Sequence, residues 1–421
     1  MAVPVARETV GSRSPSNGPI AALRKRRYCP LPVSFPTHTR AALDALRRAD
    51  LLRQPRLVSS DQGPHIMVDG KPVLSMCSNN YLGLANHPRI AEAARAALAE
   101  HGFGSAASRH ISGTHTLHRQ AEAALAAFTR SEAALLFSTG YAANTGTIQA
   151  LVGRDDVVFS DALNHASLID GCTLSRAKTH VYRHRDLDHL ESLLSAQCVT
   201  GNAALVVTDA AFSMDGDLAP LRELRSLCDR HGAGLLVDEA HTLGLLGPAG
   251  RGLCQQFGIV PDVLIGTLGK AFGTAGAFAA ADTTTVRLIE NRARSYVFST
   301  APSPSLAAAA LAATALVEAG DALRAQALEN AAQMRAGLAK LNIEALPGEL
   351  PILPVLTGDP ARTMEISASL LEAGVFVHGI RPPTVPEGSS RLRVTTTAGH
   401  SPADVATALD AFKSIADLCH V

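Results

Sequence analysis

The chain has few features that would connect it to a nucleic acid or a membrane. Its 421 residues include no tryptophan, only 4% are aromatic, and the formal net charge is zero. No basic stripe with interleaved aromatic residues is present, so nucleic acid is not indicated as a partner. No apolar run approaches the length that spans a bilayer, and the alanine-rich run 307–316 is interpreted as a packed helix. We therefore expect an ordinary soluble protein without a membrane partner.

Cysteine is also sparse and poorly arranged for a structural role. The seven cysteines are scattered, without a CxxC pair or a Cys/His cluster. This spacing argues against a zinc site and against the disulfide framework of a secreted protein. We therefore expect no metal, reduced thiols and a cytoplasmic location.

The first 38 residues differ in composition from the rest. They contain many Ser, Pro and Gly residues and the basic cluster Arg24-Lys25-Arg26-Arg27, without a periodic apolar pattern. Such a composition predicts a disordered extension. Being rich in arginine and poor in acidic residues, the segment also resembles an organelle transit peptide. An upstream start codon or a plain flexible tail is the preferred interpretation.

The remainder is long and apolar enough to bury a large core in two or three lobes. Five apolar runs alternate with helical segments such as 117–128 and 218–231. The runs cover 133–137, 156–159, 204–207, 234–237 and 263–265. Strands without polar alternation, separated by helices, predict an α/β domain with a mostly parallel central sheet covered by helices on both faces.

The expected domain boundaries follow from this pattern. An N-terminal segment, 39–88, combines a helix over 39–53 with short strands over 65–68 and 72–76. A large domain spans 89–305. A smaller α+β domain spans 306–421, and within it the run 391–395 alternates like an edge or half-buried strand.

A lysine and an aspartate stand out at the ends of two apolar runs. Lys270 lies among small residues in Gly266-Thr267-Leu268-Gly269-Lys270, and Asp238 ends the run before it. In a parallel sheet, the loops at the carboxyl ends of strands form the ligand crevice. An enzyme that binds pyridoxal 5′-phosphate (PLP) needs such a pair, a lysine for covalent attachment and a carboxylate that keeps the ring nitrogen protonated. The alternatives are a surface lysine on a helix and a helix N-cap aspartate.

Two further segments suit the phosphate of PLP and the carboxylate of an amino-acid substrate. A glycine turn opens a helix at Ser138-Thr139-Gly140-Tyr141, where backbone N–H groups suit a phosphate. Arg391 and Arg393 offer guanidinium groups whose fork geometry pairs with the carboxylate of an amino acid. The glycine turn is weak evidence by itself, because such turns are common before helices.

From about Ala42 to the C-terminus, the chain resembles the α-oxoamine synthases, PLP-dependent enzymes of the aspartate-aminotransferase fold (type I). The motifs are Ser78-Asn79-Asn80-Tyr81-Leu82-Gly83-Leu84, Ser108-Arg109-His110-Ile111-Ser112-Gly113-Thr114, Asn164-His165-Ala166-Ser167-Leu168, Phe212-Ser213-Met214-Asp215-Gly216-Asp217, Asp238-Glu239-Ala240-His241 and the Lys270 segment. The resemblance implies the decarboxylative condensation of an amino acid with an acyl thioester. It also implies a homodimer with the active site at the interface.

The resemblance assigns catalytic roles to particular residues. Lys270 would bind PLP and move the Cα proton, and Asp238 would pair with the ring nitrogen. His165 would stack on the ring and help to position the substrate, although a lone histidine is often structural. Ser213 and His241 would hydrogen-bond the phenolic oxygen of the ring, while a turn cap is the alternative for Ser213.

The resemblance also assigns phosphate and substrate contacts. The phosphate contacts would be Gly140, Tyr141, Thr267 and, from a partner subunit, Thr300. Arg393, assisted by Asn79, would bind the carboxylate of the amino acid, while Arg391 is interpreted as structural. Arg53 and Thr384 would contact the acyl chain, Arg53 at its distal carboxylate, while a solvated helix face is the alternative for Arg53.

Within the family, the amino acid and the acyl donor vary. The segments 213–221, 298–301 and 380–386 are most similar to the branch that joins L-alanine to a pimeloyl thioester in biotin biosynthesis, with CoA or a carrier protein as the thiol. The segment 102–109 instead resembles the glycine-using branch. Two further candidates are a secondary-metabolite synthase of the family and a PLP aminotransferase, which would not use a thioester.

Overall fold

The computed structural model describes residues 34–198 and 201–419. The chain divides into two units, 1–52 and 53–421. The first unit contains the helix α1 (Phe35–Arg48), whose N-cap Ser34 accepts a hydrogen bond from the Thr37 N–H. This helix begins and ends earlier than the expected 39–53, because the cap sets its start. Most of the predicted tail, residues 1–33, lies outside the described residues.

The second unit contains the remaining helices and all the strands of the described chain. The strands are β1 (His65–Val68), β2 (Lys71–Ser75), β3 (Ala133–Phe137), β4 (Val157–Asp161), β5 (Lys178–Tyr182), β6 (Ala204–Asp209), β7 (Gly234–Asp238), β8 (Val263–Thr267), β9 (Ala277–Ala281), β10 (Ile352–Gly358), β11 (Val375–Phe376), β12 (His378–Ile380) and β13 (Ser390–Thr395). The helices are α2 (Pro88–His101), α3 (Thr116–Thr129), α4 (Gly140–Leu151), α5 (Ala166–Ser175), α6 (Leu187–Gln197), α7 (Leu221–His231), α8 (Leu253–Phe257), α9 (Thr283–Arg292), α10 (Arg294–Val297), α11 (Pro304–Glu318), α12 (Asp321–Lys340), α13 (Pro360–Glu372), α14 (Pro402–Ser414) and α15 (Ala416–Cys419).

A seven-stranded sheet forms the centre of this unit, in the order β3-β9-β8-β7-β6-β4-β5. Only β9 runs against the others, pairing antiparallel with both β3 and β8. Successive residues of β8 enter different apolar clusters, Leu264 in one and Val263 and Ile265 in the other. Because neighbouring side chains of a strand point to opposite faces, both faces are covered. The predicted mostly parallel sheet is confirmed.

Two strands of this sheet were absent from the expected pattern. The strand β9 consists of alanine and one phenylalanine, and alanine is not typical of strands. The strand β5 lies at the sheet edge and carries the polar residues Lys178, Thr179 and His180. Neither segment has the β-branched apolar composition that marks a buried strand.

Two small sheets complete the unit. The strands β10 and β12 flank β13 in an antiparallel sheet. In the other sheet β2 is central, with β1 antiparallel on one side and β11 parallel on the other. All six residues of β13 are buried, so the expected edge or half-buried strand at 391–395 is wrong. Its alternating arginines are compatible with a central strand because their guanidinium groups have acceptors inside the protein.

The alanine-rich segment is the packed helix α11, as predicted, and most of its residues are buried. Among the described residues, no single helix has the length and hydropathy to cross a membrane. The helices α11 and α12 meet these criteria only as a pair, and the chain bends by 74° between them.

Candidate active site

Three neighbouring strands bring the candidate residues together at their carboxyl ends. Asp209 and Asp238 end β6 and β7 and lie side by side in register. Lys270 follows β8 by three residues. Because these strands are parallel, their carboxyl ends lie together, as expected for the ligand crevice of an α/β sheet.

Lys270 contacts a histidine rather than an acid. Its Nζ lies 2.8 Å from His241 Nε2. Burial lowers the pKa of Lys270 to about 8, against the opposing charges of Asp238 and Asp209. Burial and the positive charge of Lys270 also hold the pKa of His241 well below its usual range. The pair therefore supplies an amine that can lose its proton near neutral pH, beside a neutral imidazole.

Asp238 is buried and held by donors on both oxygens. The Asn144 Nδ2 donates to Oδ2 at 2.6 Å, and the Ala240 N–H donates to Oδ1 at 2.9 Å. Asn144 lies in α4 and also donates to Ser167 Oγ at 2.8 Å. These contacts fix the orientation of the carboxylate opposite Lys270.

His165 caps α5 at the same edge of the sheet. Its backbone N–H donates to Asp209 Oδ2 at 2.6 Å, and its Nδ1 lies 2.7 Å from Ser167 Oγ. Desolvation lowers the pKa of His165, and the charge of Lys270 acts in the same direction. Through Ser167 and Asn144, this histidine and Asp238 belong to one hydrogen-bonded network.

The expected phosphate residues from two segments are brought together. Gly140 and Tyr141 open α4, whose cap Thr139 accepts a hydrogen bond from the Ala142 N–H at 3.0 Å. A Cβ added at Gly140 would lie 3.9 Å from Thr267 Oγ1, so the helix start and this hydroxyl are neighbours. The first N–H groups of a helix have no intrahelical acceptor, and such an end suits a phosphate.

Thr300 lies in a separate segment after α10. It pairs with Ser108 in an isolated β-bridge and lines a small cavity together with Ser138. Its phosphate contact from a partner subunit stays a prediction.

Arg393 of β13 is buried and is linked to Lys270 by a series of polar contacts. Its Nε donates to the Ser213 carbonyl at 2.7 Å, and its Nη1 donates to Asn79 Oδ1 at 3.0 Å. Its Nη2 lies 3.4 Å from Tyr81 Oη, which lies 2.8 Å from His241 Nδ1. Arg393, Tyr81, His241 and Lys270 thus form a continuous line of polar contacts.

Arg391, two residues earlier on the same strand, has a different environment. Its guanidinium donates to the Met214 carbonyl at 3.0 Å and to Asp215 Oδ1 at 2.6 Å. These contacts tie β13 to the loop that carries Ser213, in agreement with a structural role.

The two residues expected at the acyl chain also meet. Arg53 Nη2 donates to Thr384 Oγ1 at 3.0 Å, although 331 positions separate them. Partial desolvation and the charges of Arg381 and Arg53 lower the pKa of the neighbouring His378. His378 is paired in register with Arg393, so the positively charged region lies next to this arginine.

Sequence reasoning did not assign several residues that support the site. Tyr81 and Ser167 lay inside recognised motifs and Asn144 lay just after the glycine turn, but partners of all three come from distant segments. Asp209, which ends β6, was assigned no role. Burial and the neighbouring Asp238 raise its pKa well above the usual range. No local pattern distinguishes such residues from ordinary polar loop residues.

The donor set fits PLP. An amine of lowered pKa feels the charge of a buried, doubly held carboxylate, and a helix N-terminus with an adjacent hydroxyl suits the phosphate. Among the described residues, no group of three or more His, Cys, Asp or Glu side chains could hold a metal ion.

Comparisons with known proteins agree with this assignment. The model of the family "Aminotransferase class I and II" matches residues 71–412. The 8-amino-7-oxononanoate synthase of Citrifermentans bemidjiense is 49% identical over 367 residues, which are 86% of this chain and 94% of that protein. The serine palmitoyltransferase of S. paucimobilis, solved with bound PLP and myriocin, has a TM-score of 0.86 and 30% identity, covering 91% of this chain and 97% of that one. The 8-amino-7-oxononanoate synthase of Francisella tularensis has a TM-score of 0.70 and 26% identity, covering 81% and 97%.

Proposed function

The chain belongs to the aminotransferase class I and II family, and we propose that it is a PLP-dependent acyltransferase that makes 8-amino-7-oxononanoate for biotin biosynthesis. It joins L-alanine to pimeloyl-CoA, or to a pimeloyl-carrier protein, and releases the thiol and carbon dioxide. The observation that supports the proposal is the line of contacts from Lys270 through His241 and Tyr81 to Arg393, which links an amine of lowered pKa to a buried guanidinium. Relatives that are about 49% identical to this chain are named 8-amino-7-oxononanoate synthase.

The residues around Lys270 would hold PLP and move one proton. When bound, PLP supplies an electron sink for negative charge at the Cα atom of the amino acid. Asp238 would pair with the ring nitrogen, and His165 would stack on the ring. The Lys270 Nζ accepts the Cα proton of L-alanine, because its lowered pKa leaves a larger fraction of the amine unprotonated near neutral pH than in an ordinary lysine.

Arg393 and Asn79 orient the amino acid. Arg393 is held on two sides by protein acceptors, so its fork points in one direction. The Cα atom then forms a bond to the acyl carbonyl carbon, and the C–S bond of the thioester breaks to release the thiolate. The C1 carboxylate leaves as carbon dioxide, and Cα takes up a proton from Lys270 in its place. The new carbon–carbon bond distinguishes this reaction from transamination.

Arg53 gives the acyl site its selectivity in this proposal. A pimeloyl chain ends in a carboxylate, and Arg53 with the neighbouring Arg381 provides positive charge for it. We expect the wild-type protein to prefer pimeloyl-CoA to heptanoyl-CoA, which lacks the distal carboxylate. Arg53→Ala should reduce this preference about tenfold, because the free energy of one charge-assisted hydrogen bond to the distal carboxylate is lost. Arg56→Ala is the matched control, because Arg56 pairs with Asp69 instead.

The reaction itself is tested by mixing the PLP-loaded protein with L-alanine and pimeloyl-CoA. The proposal expects one free thiol and one carbon dioxide per 8-amino-7-oxononanoate formed, as measured by thiol titration, gas capture and mass spectrometry. Pyruvate without thiol release would show an aminotransferase. A preference for glycine over L-alanine would move the chain to the glycine-using branch.

The proposal includes a homodimer in which Thr300 reaches the phosphate of the partner's PLP. Phe103, Ile111 and Phe298 are 73%, 80% and 72% exposed, and such large apolar side chains favour an interface. The Ser303 hydroxyl donates to the Phe103 carbonyl and so holds Phe103 near the Thr300 segment. Light scattering should give twice the chain mass, and Phe298→Asp should shift it towards the single chain.

We also propose a cytoplasmic location. All six cysteines of the described residues are free, which suits a reducing compartment. Cell fractionation with thiol labelling tests this location, and recovery of an oxidised, exported protein would contradict it.

A further inference from the structure

A histidine outside the residues assigned so far connects two loops of the site. His184 follows β5, and its Nδ1 lies 2.8 Å from Asp161 Oδ1 while its Nε2 lies 2.9 Å from Asp217 Oδ2. The two carboxylates come from different segments, Asp161 from the end of β4 and Asp217 from the loop after β6. The ring also packs edge-on against Phe212, with the centroids 4.4 Å apart.

Each carboxylate residue organises a loop that carries a cofactor residue. Asp161 Oδ1 also accepts the Leu163 N–H at 2.8 Å, two residues before His165. On the other side, the Asp217 carbonyl accepts the Phe212 N–H at 3.0 Å and closes the turn around Ser213. The distance between the two loops therefore depends on the group between the two acids.

The charges require the protonated form of this histidine. A neutral imidazole has one N–H and would direct a lone pair at one of the two carboxylates, whereas the imidazolium donates to both. The other cation of the cluster is Arg185, whose Nη1 donates to Asp217 Oδ2 at 2.9 Å. Two cations thus balance two acids, of which Asp161 is 2% exposed.

The remaining titratable neighbours do not disturb this balance. Tyr182 of β5 is buried, and burial with the charge of Asp161 raises its pKa well above the usual range, so it stays neutral. Asp209 of β6 also has a raised pKa, owing to burial and to Asp238. Although burial opposes its charge, hydrogen bonds to Asp161 and Asp217 raise the pKa of His184 to about 9.

We propose that His184 is a positioning residue that, as an imidazolium between Asp161 and Asp217, holds the His165 loop against the Ser213 loop and so sets the width of the PLP site. This role rests on the proposed function of His165 and Ser213 as cofactor contacts. The bridge itself is made of protein groups alone, the imidazole of His184 and the carboxylates of Asp161 and Asp217.

The first measurement follows the imidazole of His184 by NMR in apoprotein with ¹⁵N-labelled histidine. The bridge predicts titration near pH 9, and Asp217→Asn should lower the midpoint because one acceptor charge is lost. A midpoint at or below the ordinary value of 6.5 would overturn the bridge.

The second measurement is the dissociation constant of PLP, obtained by absorbance titration. His184→Gln should weaken binding about tenfold, because a neutral amide cannot donate along both directions and one charge-assisted bond is lost. His189→Gln is the matched control. His189 accepts a hydrogen bond from the N–H of Arg183, the residue before His184, but it does not bridge two carboxylates. Equal dissociation constants for both variants would overturn the positioning role.

Two outcomes separate this inference from the proposed function. If His184→Gln does not fold, Asp217→Asn serves the same titration and should also weaken PLP binding. If the wild-type protein titrates as expected but binds no PLP, the bridge stands as a structural contact, while the positioning role and the proposed function both fall.

Discussion

Replacing Arg393 with lysine should selectively weaken L-alanine binding. The guanidinium uses Nε for the Ser213 carbonyl, Nη1 for Asn79 and Thr395, and one Nη2 N–H for Tyr81, which leaves the second Nη2 N–H for a substrate carboxylate. Lysine keeps the charge but cannot reproduce the fork. The loss of one charge-assisted hydrogen bond, about 1.5–3 kcal/mol, corresponds to a rise of about ten- to a hundredfold in the KM for L-alanine. The KM for pimeloyl-CoA should change little.

Arg391→Lys is the matched control for this experiment. Both arginines lie in β13, with Arg393 at 6% and Arg391 at 3% exposure, and both donate to a carbonyl of the 213–215 loop. Each replacement leaves buried acceptors unpaired and should cost about 1–3 kcal/mol of unfolding free energy, measured by denaturant titration. Only Arg393→Lys should change the KM for L-alanine. Equal KM values for the two variants, or a rise confined to Arg391→Lys, would refute the assignment.

Three further predictions concern the centre of the site. Lys270→Ala should abolish turnover and covalent PLP attachment, measured by mass spectrometry after borohydride reduction; a retained adduct would place the attachment elsewhere. Asp238→Asn should still bind PLP but reduce kcat by about 100-fold or more, because the electron sink loses its carboxylate, and a near-normal kcat in steady-state assays would contradict this. Asn144→Ala should cost about 1–3 kcal/mol of unfolding free energy, because the buried Asp238 carboxylate loses a donor. Guanidinium titration checks this value, with exposed Asn291→Ala as the control.

The pH dependence of stability should also report the His184 bridge. Its folded-state pKa of about 9 lies above the ordinary 6.5, so the bridge stabilises the folded protein fully below pH 6.5. This contribution is lost as the pH rises through about 9, because the folded state then releases the proton. The full contribution would be on the order of 3 kcal/mol, from about 1.4 kcal/mol per pKa unit. Denaturant titrations at pH 6 and 9.5 should show a smaller difference for His184→Gln than for the wild type.

Local patterns were sufficient for the main sheet and for the chemistry at its edge. Apolar runs without polar alternation indicated five of its seven strands, and these runs end at Asp238 and before Lys270. The glycine turn at Gly140 and the motifs around Asn79 and His165 indicated the ligand. Each signal lies within a few residues, because burial and chain reversal depend on local composition.

Only the tertiary structure decided how distant segments meet. Arg393 binds Asn79 across 314 positions, and β13 proved central because its arginines find acceptors on other loops. The same holds for His184, whose partners lie on two segments that are distant from each other in sequence. The sequence by itself therefore determined which groups stand at the sheet edge, while packing decided which of them touch and which protonation states they hold, since both depend on neighbours that no local pattern encodes.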